Sequence, residues 1–148
     1  MRGFAKCVRI VRTAIDTNIL SALLTGEANA TEIGQLLDTA GERGGLVICP
    51  IVYAELRAVP GAVISLIDSF LERTSIVVDW TFDKEIWHLA AERYQKYAIR
   101  KRQQKMGEPK RLIADFIVGA HALLRADVLL TLDPRPYRAD FAELSLHP

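Results

Sequence analysis

Residues 8–24 read Val8-Arg9-Ile10-Val11-Arg12-Thr13-Ala14-Ile15-Asp16-Thr17-Asn18-Ile19-Leu20-Ser21-Ala22-Leu23-Leu24, and the pattern changes twice within them. Residues 8–15 are rich in β-branched side chains, which pack well on a pleated strand. Asp16-Thr17-Asn18 brings short polar side chains of the kind that satisfy turn and cap groups. Ile19, Leu20, Leu23 and Leu24 then recur at helical spacing. The stretch predicts strand, turn and helix.

The same alternation runs on. Asn29 is expected to cap a second helix with Glu32 as its reciprocal partner, and Ile33, Leu36 and Leu37 form its apolar stripe up to Gly41. Gly44-Gly45 breaks the chain before a short strand over 46–49. Pro50, a residue favoured at the first helical position, opens a helix continuing through 52–58, with Glu55 about one turn inside it. Beyond Pro60-Gly61, Val63, Ile64, Ile67, Phe70 and Leu71 predict another helix, and 76–78 a third strand. Thr81 is the expected cap of a long helix bearing Ile86, Leu89, Ala90, Tyr94 and Tyr97, which ends in the basic run 100–105 ahead of a surface loop over 106–111. Ile113, Phe116, Ile117, Ala120, Leu123 and Leu124 predict a buried helical face, and 128–132 a strand ending at Asp133-Pro134; from Pro136 a short helix or irregular tail follows. Strands separated by helices imply an α/β fold: a three-layer α/β/α sandwich with a central parallel sheet, whose ligands gather beyond the carboxyl ends of the strands.

Length and composition bound the function. A chain of 148 residues is expected to form one domain, 1–148, with residues 1–8 as an N-terminal extension. Half of the residues are hydrophobic and a quarter charged, the balance of an ordinary soluble globule. The net charge of +1 excludes nucleic-acid binding by overall charge and leaves room for a local basic stripe. Cys7 and Cys49 have no metal-ligand spacing and are expected as reduced thiols, which suits the cytoplasm. No apolar run approaches the roughly 18 residues of a membrane span, and neither a span nor a signal peptide is expected.

Asp16 and Asp133 are predicted at the carboxyl ends of apolar strands, Glu55 in the helix after another strand, and Asp115 near the start of a helix. An acid at any one of these places serves as readily as a helix cap. Together they can face one sheet edge, where converging carboxylates would repel one another unless a cation sat between them. Oxygen ligands without histidine or cysteine suit Mg²⁺ or Mn²⁺, ions that also bind phosphate oxygens.

Four stretches stand in order along the chain: Ala14-Ile15-Asp16-Thr17-Asn18-Ile19-Leu20, Tyr53-Ala54-Glu55-Leu56, the segment from Ile113 and Asp115 to Leu123, and Leu129-Leu130-Thr131-Leu132-Asp133. By them the chain resembles a PIN domain, specifically the toxin ribonucleases of VapBC toxin–antitoxin systems. No one motif is specific, but the ordered set covers about 13–137. The resemblance implies a metal-dependent endoribonuclease whose catalytic, metal-binding acids are Asp16, Glu55, Asp115 and Asp133, with Asn18 and Thr131 orienting the first and last of them. It further implies an RNA substrate, a cognate VapB-like antitoxin and a homodimer, formed through an apolar face within 64–71 or 87–97. The N-terminal residues 1–6 depart from the usual family pattern.

Arg100, Lys101, Arg102, Lys105, Lys110, Arg111 and Arg135 are candidate contacts to an RNA backbone, although a solvated helix end explains the run equally well. His88 and His121 are assigned no chemistry, and Trp80, Trp87, Tyr94 and Tyr97 are expected in core or dimer contacts rather than stacked on bases. Two alternatives compete. One is a catalytically silent RNA- or protein-binding module. The other is a haloacid dehalogenase type phosphatase, which needs a second aspartate where this chain has Asn18.

Overall fold

The computed structural model describes residues 9–104 and 110–148. The expected N-terminal extension, Cys7, Lys105 and most of the expected loop over 106–111 lie outside the described residues. The elements follow the order β1 (Thr13–Ile15), α1 (Thr17–Leu24), α2 (Ala30–Arg43), β2 (Leu46–Ile48), α3 (Pro50–Leu56), α4 (Ile64–Arg73), β3 (Ile76–Val78), α5 (Lys84–Gln103), α6 (Ile113–Arg125), β4 (Val128–Leu130), α7 (Arg135–Asp140) and β5 (Leu146–His147).

The sheet has the order β3-β2-β1-β4-β5 with every pairing parallel. Ala14 stands opposite both Val47 and Leu129, so β1 is the central strand. With this strand order, the right-handed rule for parallel crossovers puts α1–α4 on one face and α5–α7 on the other, giving three α/β/α layers. All three residues of β1 and of β2 are buried, as a sheet covered on both faces requires. The order in which successive strands are added switches sides between β1 and β4, which makes their carboxyl ends the natural crevice of the fold.

Several boundaries differ from the sequence expectation. The first strand is shorter than 8–15, because its ladder partners Leu46 and Val128 begin opposite Thr13 and Ile10 upstream is 77% exposed. Asn29 holds the N-cap position of α2 without a capping hydrogen bond. Its backbone is already near-helical (φ −91°, ψ 8°), Ala30 N bonds Glu27 O instead, and the reciprocal box with Glu32 does not form. Asp83, not Thr81, precedes α5: Thr81 N is taken by Asp79 Oδ1, and the Asp83 carboxylate pairs with Arg125. α3 stops at Leu56, so Glu55 lies in its last turn. The tail after Pro136 is both helix and strand, with β5 tied to β4 by Leu129 N to Ser145 O and Thr131 N to His147 O.

The second layer is built on α6, buried from Phe116 to Ala122. Tyr97 packs on Phe116 and Phe116 on Phe141. Trp80 and Trp87, expected in core or dimer contacts, lie outside the core: they are 65% and 51% exposed, edge-on to Tyr53 and Phe82. Buried His121 brings Nε2 within 3.0 Å of Asp79 Oδ2 and stacks on Phe82, fastening the segment after β3 to α6. Burial lowers its pKa, against the pull of Asp79. Among the described residues no helix is long and apolar enough to cross a membrane.

Gly119 sits where α6 meets Phe141, and a Cβ there would fall 2.4 Å from the Phe141 ring. Since that ring is itself buried, Gly119→Ala is expected to destabilise the fold by about 1–3 kcal/mol in urea unfolding. An unchanged midpoint would show that this contact is looser than described.

Candidate active site

β1 delivers Asp16 to the crevice. Being the residue after the strand and the N-cap of α1, it accepts Thr17 N on Oδ1 at 2.8 Å, so it is both a helix cap and a wall of the site. Its Oδ2 accepts two hydroxyls, Thr131 Oγ1 at 2.8 Å and Tyr137 Oη at 2.8 Å. Only 8% of Asp16 is exposed.

The end of β4 is fastened to the start of α1 by side chains. Asn18 Oδ1 accepts Leu132 N at 3.1 Å, while Asn18 Nδ2 donates to Thr131 Oγ1 at 3.3 Å. Thr131 Oγ1 also accepts Asp133 N at 3.2 Å, so one hydroxyl orients the turn carrying Asp133 and the carboxylate of Asp16 together. From α3, Glu55 accepts Thr17 Oγ1 at 2.9 Å. Asp115 lies in the first turn of α6, where the helix dipole favours an acid. Asp133 accepts Arg135 Nε at 3.2 Å.

All four acids line one open cavity of about 310 Å³, together with Thr17, Asn18, Ser21, Pro136 and Tyr137. Burial, with repulsion from Asp16 and Asp115, pushes the Glu55 carboxyl above its ordinary range. Burial and then Asp16 do the same to Asp115, and burial outweighs three hydrogen bonds to raise Asp16. Among the described residues no three His, Cys, Asp or Glu side chains converge closely enough to cage an ion. The donor set fits a hard divalent cation that keeps several waters and takes only a few carboxylates, and it does not fit a closed all-protein cage.

The basic candidates divide. Lys110, Arg111 and Arg135 line a groove that shares Asp115, Asp133 and Pro136 with the acidic cavity. Arg100 Nη2 donates to buried Asp140 at 2.9 Å and Arg111 approaches the same carboxylate at 3.5 Å, so both hold the fold together. Lys101 stands over the Tyr97 ring, and Arg102 is exposed at the end of α5. Sequence reasoning missed Thr17, Ser21 and Tyr137. Thr17 stood in the turn after Asp16 without a site role, and Tyr137 lies four residues past Asp133.

The PIN-domain family profile matches residues 13–142. Solved structures with the same fold include VapBC2 from Rickettsia felis bound to a promoter DNA fragment, with a TM-score of 0.65, 18% identity and coverage of 92% of this chain and 97% of that one. VapBC-1 from nontypeable Haemophilus influenzae aligns with a TM-score of 0.61 and 20% identity, over 92% of this chain and 96% of that one. FitAcB from Neisseria gonorrhoeae gives 0.63 and 21%, over 92% and 96%. No curated protein sequence matches the chain.

Because Asp115 holds its proton more tightly in the folded protein than in the unfolded chain, its contribution to stability falls as pH rises from the ordinary value of 3.8 through the raised one. Metal-free Asp115→Asn is therefore expected to match the wild type near pH 3.5 and to gain stability at pH 7. A gain on the order of 1 kcal/mol corresponds to about 2–4 °C in Tm. A variant less stable than wild type at pH 7 in chelator would contradict the strain assigned to this cluster.

Proposed function

The chain belongs to the PIN-domain family, and we propose that it is a metal-dependent endoribonuclease, the toxin of a type II toxin–antitoxin pair that cuts RNA phosphodiester bonds and so inhibits translation or growth. PIN domains are generally nucleases. The observation that carries the reading for this chain is the gathering of Asp16, Glu55, Asp115 and Asp133 around one cavity at the reversal point of the sheet.

Those four carboxylates are the groups that would hold Mg²⁺ or Mn²⁺, some of them through the waters that the ion keeps. When bound, the ion supplies charge neutralisation at the scissile phosphate and a water of lowered pKa. The chain's own residues do the rest. Thr17, Thr131 and Tyr137 keep the carboxylate of Asp16 from rotating, and Thr17 does the same for Glu55. Lys110 and Arg135 line the groove beside the acids and are the groups that would meet an RNA backbone, while Arg111, held by Asp140, adds positive charge to the same wall.

Purified protein with Mg²⁺ or Mn²⁺ is expected to fragment total RNA, chelator to stop it, and Asp16→Asn or Asp115→Asn to lower the rate by at least about 100-fold. Equal cleavage by both variants would overturn the assignment. RNA bound but left intact with every metal would favour the silent binding module.

The same reading includes an antitoxin, as the VapBC names of the similar structures suggest, and a homodimer. Both apolar faces named from the sequence keep exposed side chains, Ile64 and Leu66 on one and Trp87 and Tyr94 on the other. Native mass spectrometry is expected to find two copies in the free protein, and the small protein encoded beside this chain to bind it and abolish cleavage. A monomer, or cleavage undiminished by that protein, would refute the corresponding part.

A further inference from the structure

α7 has only six residues, yet two of its side chains, Tyr137 and Asp140, are buried. Asp140 anchors the helix from outside the cavity through Arg100 and Arg111, and the next residue, Phe141, packs on Phe116. Tyr137 faces inward with 2% exposure, and its hydroxyl lies 2.8 Å from Asp16 Oδ2. A phenol has one proton to give, and with Asp16 as acceptor it is given there.

A carboxylate offers about four lone-pair sites across its two oxygens. On Asp16, Thr131 and Tyr137 occupy both sites of Oδ2, and Thr17 N occupies one of Oδ1. One site, on Oδ1, is left over. Resting on the metal-dependent reading above, we propose that Tyr137 is a positioning residue: its hydroxyl, with that of Thr131, saturates Oδ2 and confines Asp16 to one-oxygen coordination of the cation through Oδ1. Thr131 alone would leave Oδ2 half open and the carboxylate free to tilt. The phenol removes that freedom, and it does so from a helix that is also anchored through Asp140 and Phe141.

Tyr137→Phe keeps the ring and removes only the donor. Mn²⁺ binding is measured without RNA, by calorimetry and by the electron spin resonance of the free ion, on wild type and variant. The variant is expected to stay folded, with a metal-free Tm within a few degrees of wild type, and to bind Mn²⁺ about tenfold more weakly. Its cleavage should return at excess Mn²⁺ with KM for RNA unchanged, a rescue that general loosening of the fold would not give. Equal Mn²⁺ affinity in both proteins would overturn the inference while leaving the nuclease reading intact. A wild type that takes up no Mn²⁺ would overturn that reading and this inference with it. Should the variant fail to fold, the wild type decides by proton NMR. The Tyr137 hydroxyl is expected as a slowly exchanging downfield resonance that shifts on adding Mg²⁺, and its absence or indifference to Mg²⁺ overturns the inference.

Discussion

Carboxylates brought together in a half-buried space repel one another and lose hydration, and the structure at the carboxyl edge of this sheet is arranged around that cost. Asp16 is the extreme case. It closes the central strand where only 8% of it meets solvent, and three donors surround it without restoring an ordinary pKa. Glu55 and Asp115 stand in the same cavity, each raised in part by Asp16. A cluster held this way by hydroxyl and amide donors keeps its negative potential for something that enters from outside.

The supports are distributed across the whole fold. Asn18 and Thr131 bind the end of β4 to the start of α1, which makes the position of Asp133 depend on the same turn that holds Asp16. α7 closes the site from the opposite layer. Its Tyr137 reaches the acid of the central strand, while its Asp140 draws Arg100 from α5 and Arg111 from the segment ahead of α6. Arg111 in turn opposes the rise that burial and Asp16 impose on Asp115, so the positive groove and the acidic cavity share one structural element.

How much of this could be read from the chain depends on how local each cause is. The move from β-branched residues to helical spacing at Asp16, and the strand pattern over 128–132 ahead of Asp133, are local patterns, and they located the strands that carry two of the acids, although β4 stops at Leu130. Pro50 marked the helix of Glu55. β5, two residues long, has no room for a period to appear. The Tyr137 contact joins residues 121 apart, and the pairing of Arg100 with Asp140 spans 40, so a basic run that suggested an RNA contact also holds a fold-internal ion pair. Asn29 had the right residue type for a cap and the wrong backbone for it.

The carboxyl edge of the sheet is the proposed seat of a divalent cation. Anomalous diffraction from crystals soaked in Mn²⁺ tests it most directly. A peak is expected inside the cavity lined by Asp16, Glu55, Asp115 and Asp133, touching Asp16 through Oδ1; Mn²⁺ found only elsewhere, or a cavity left empty at millimolar metal, would rule out a cation site there.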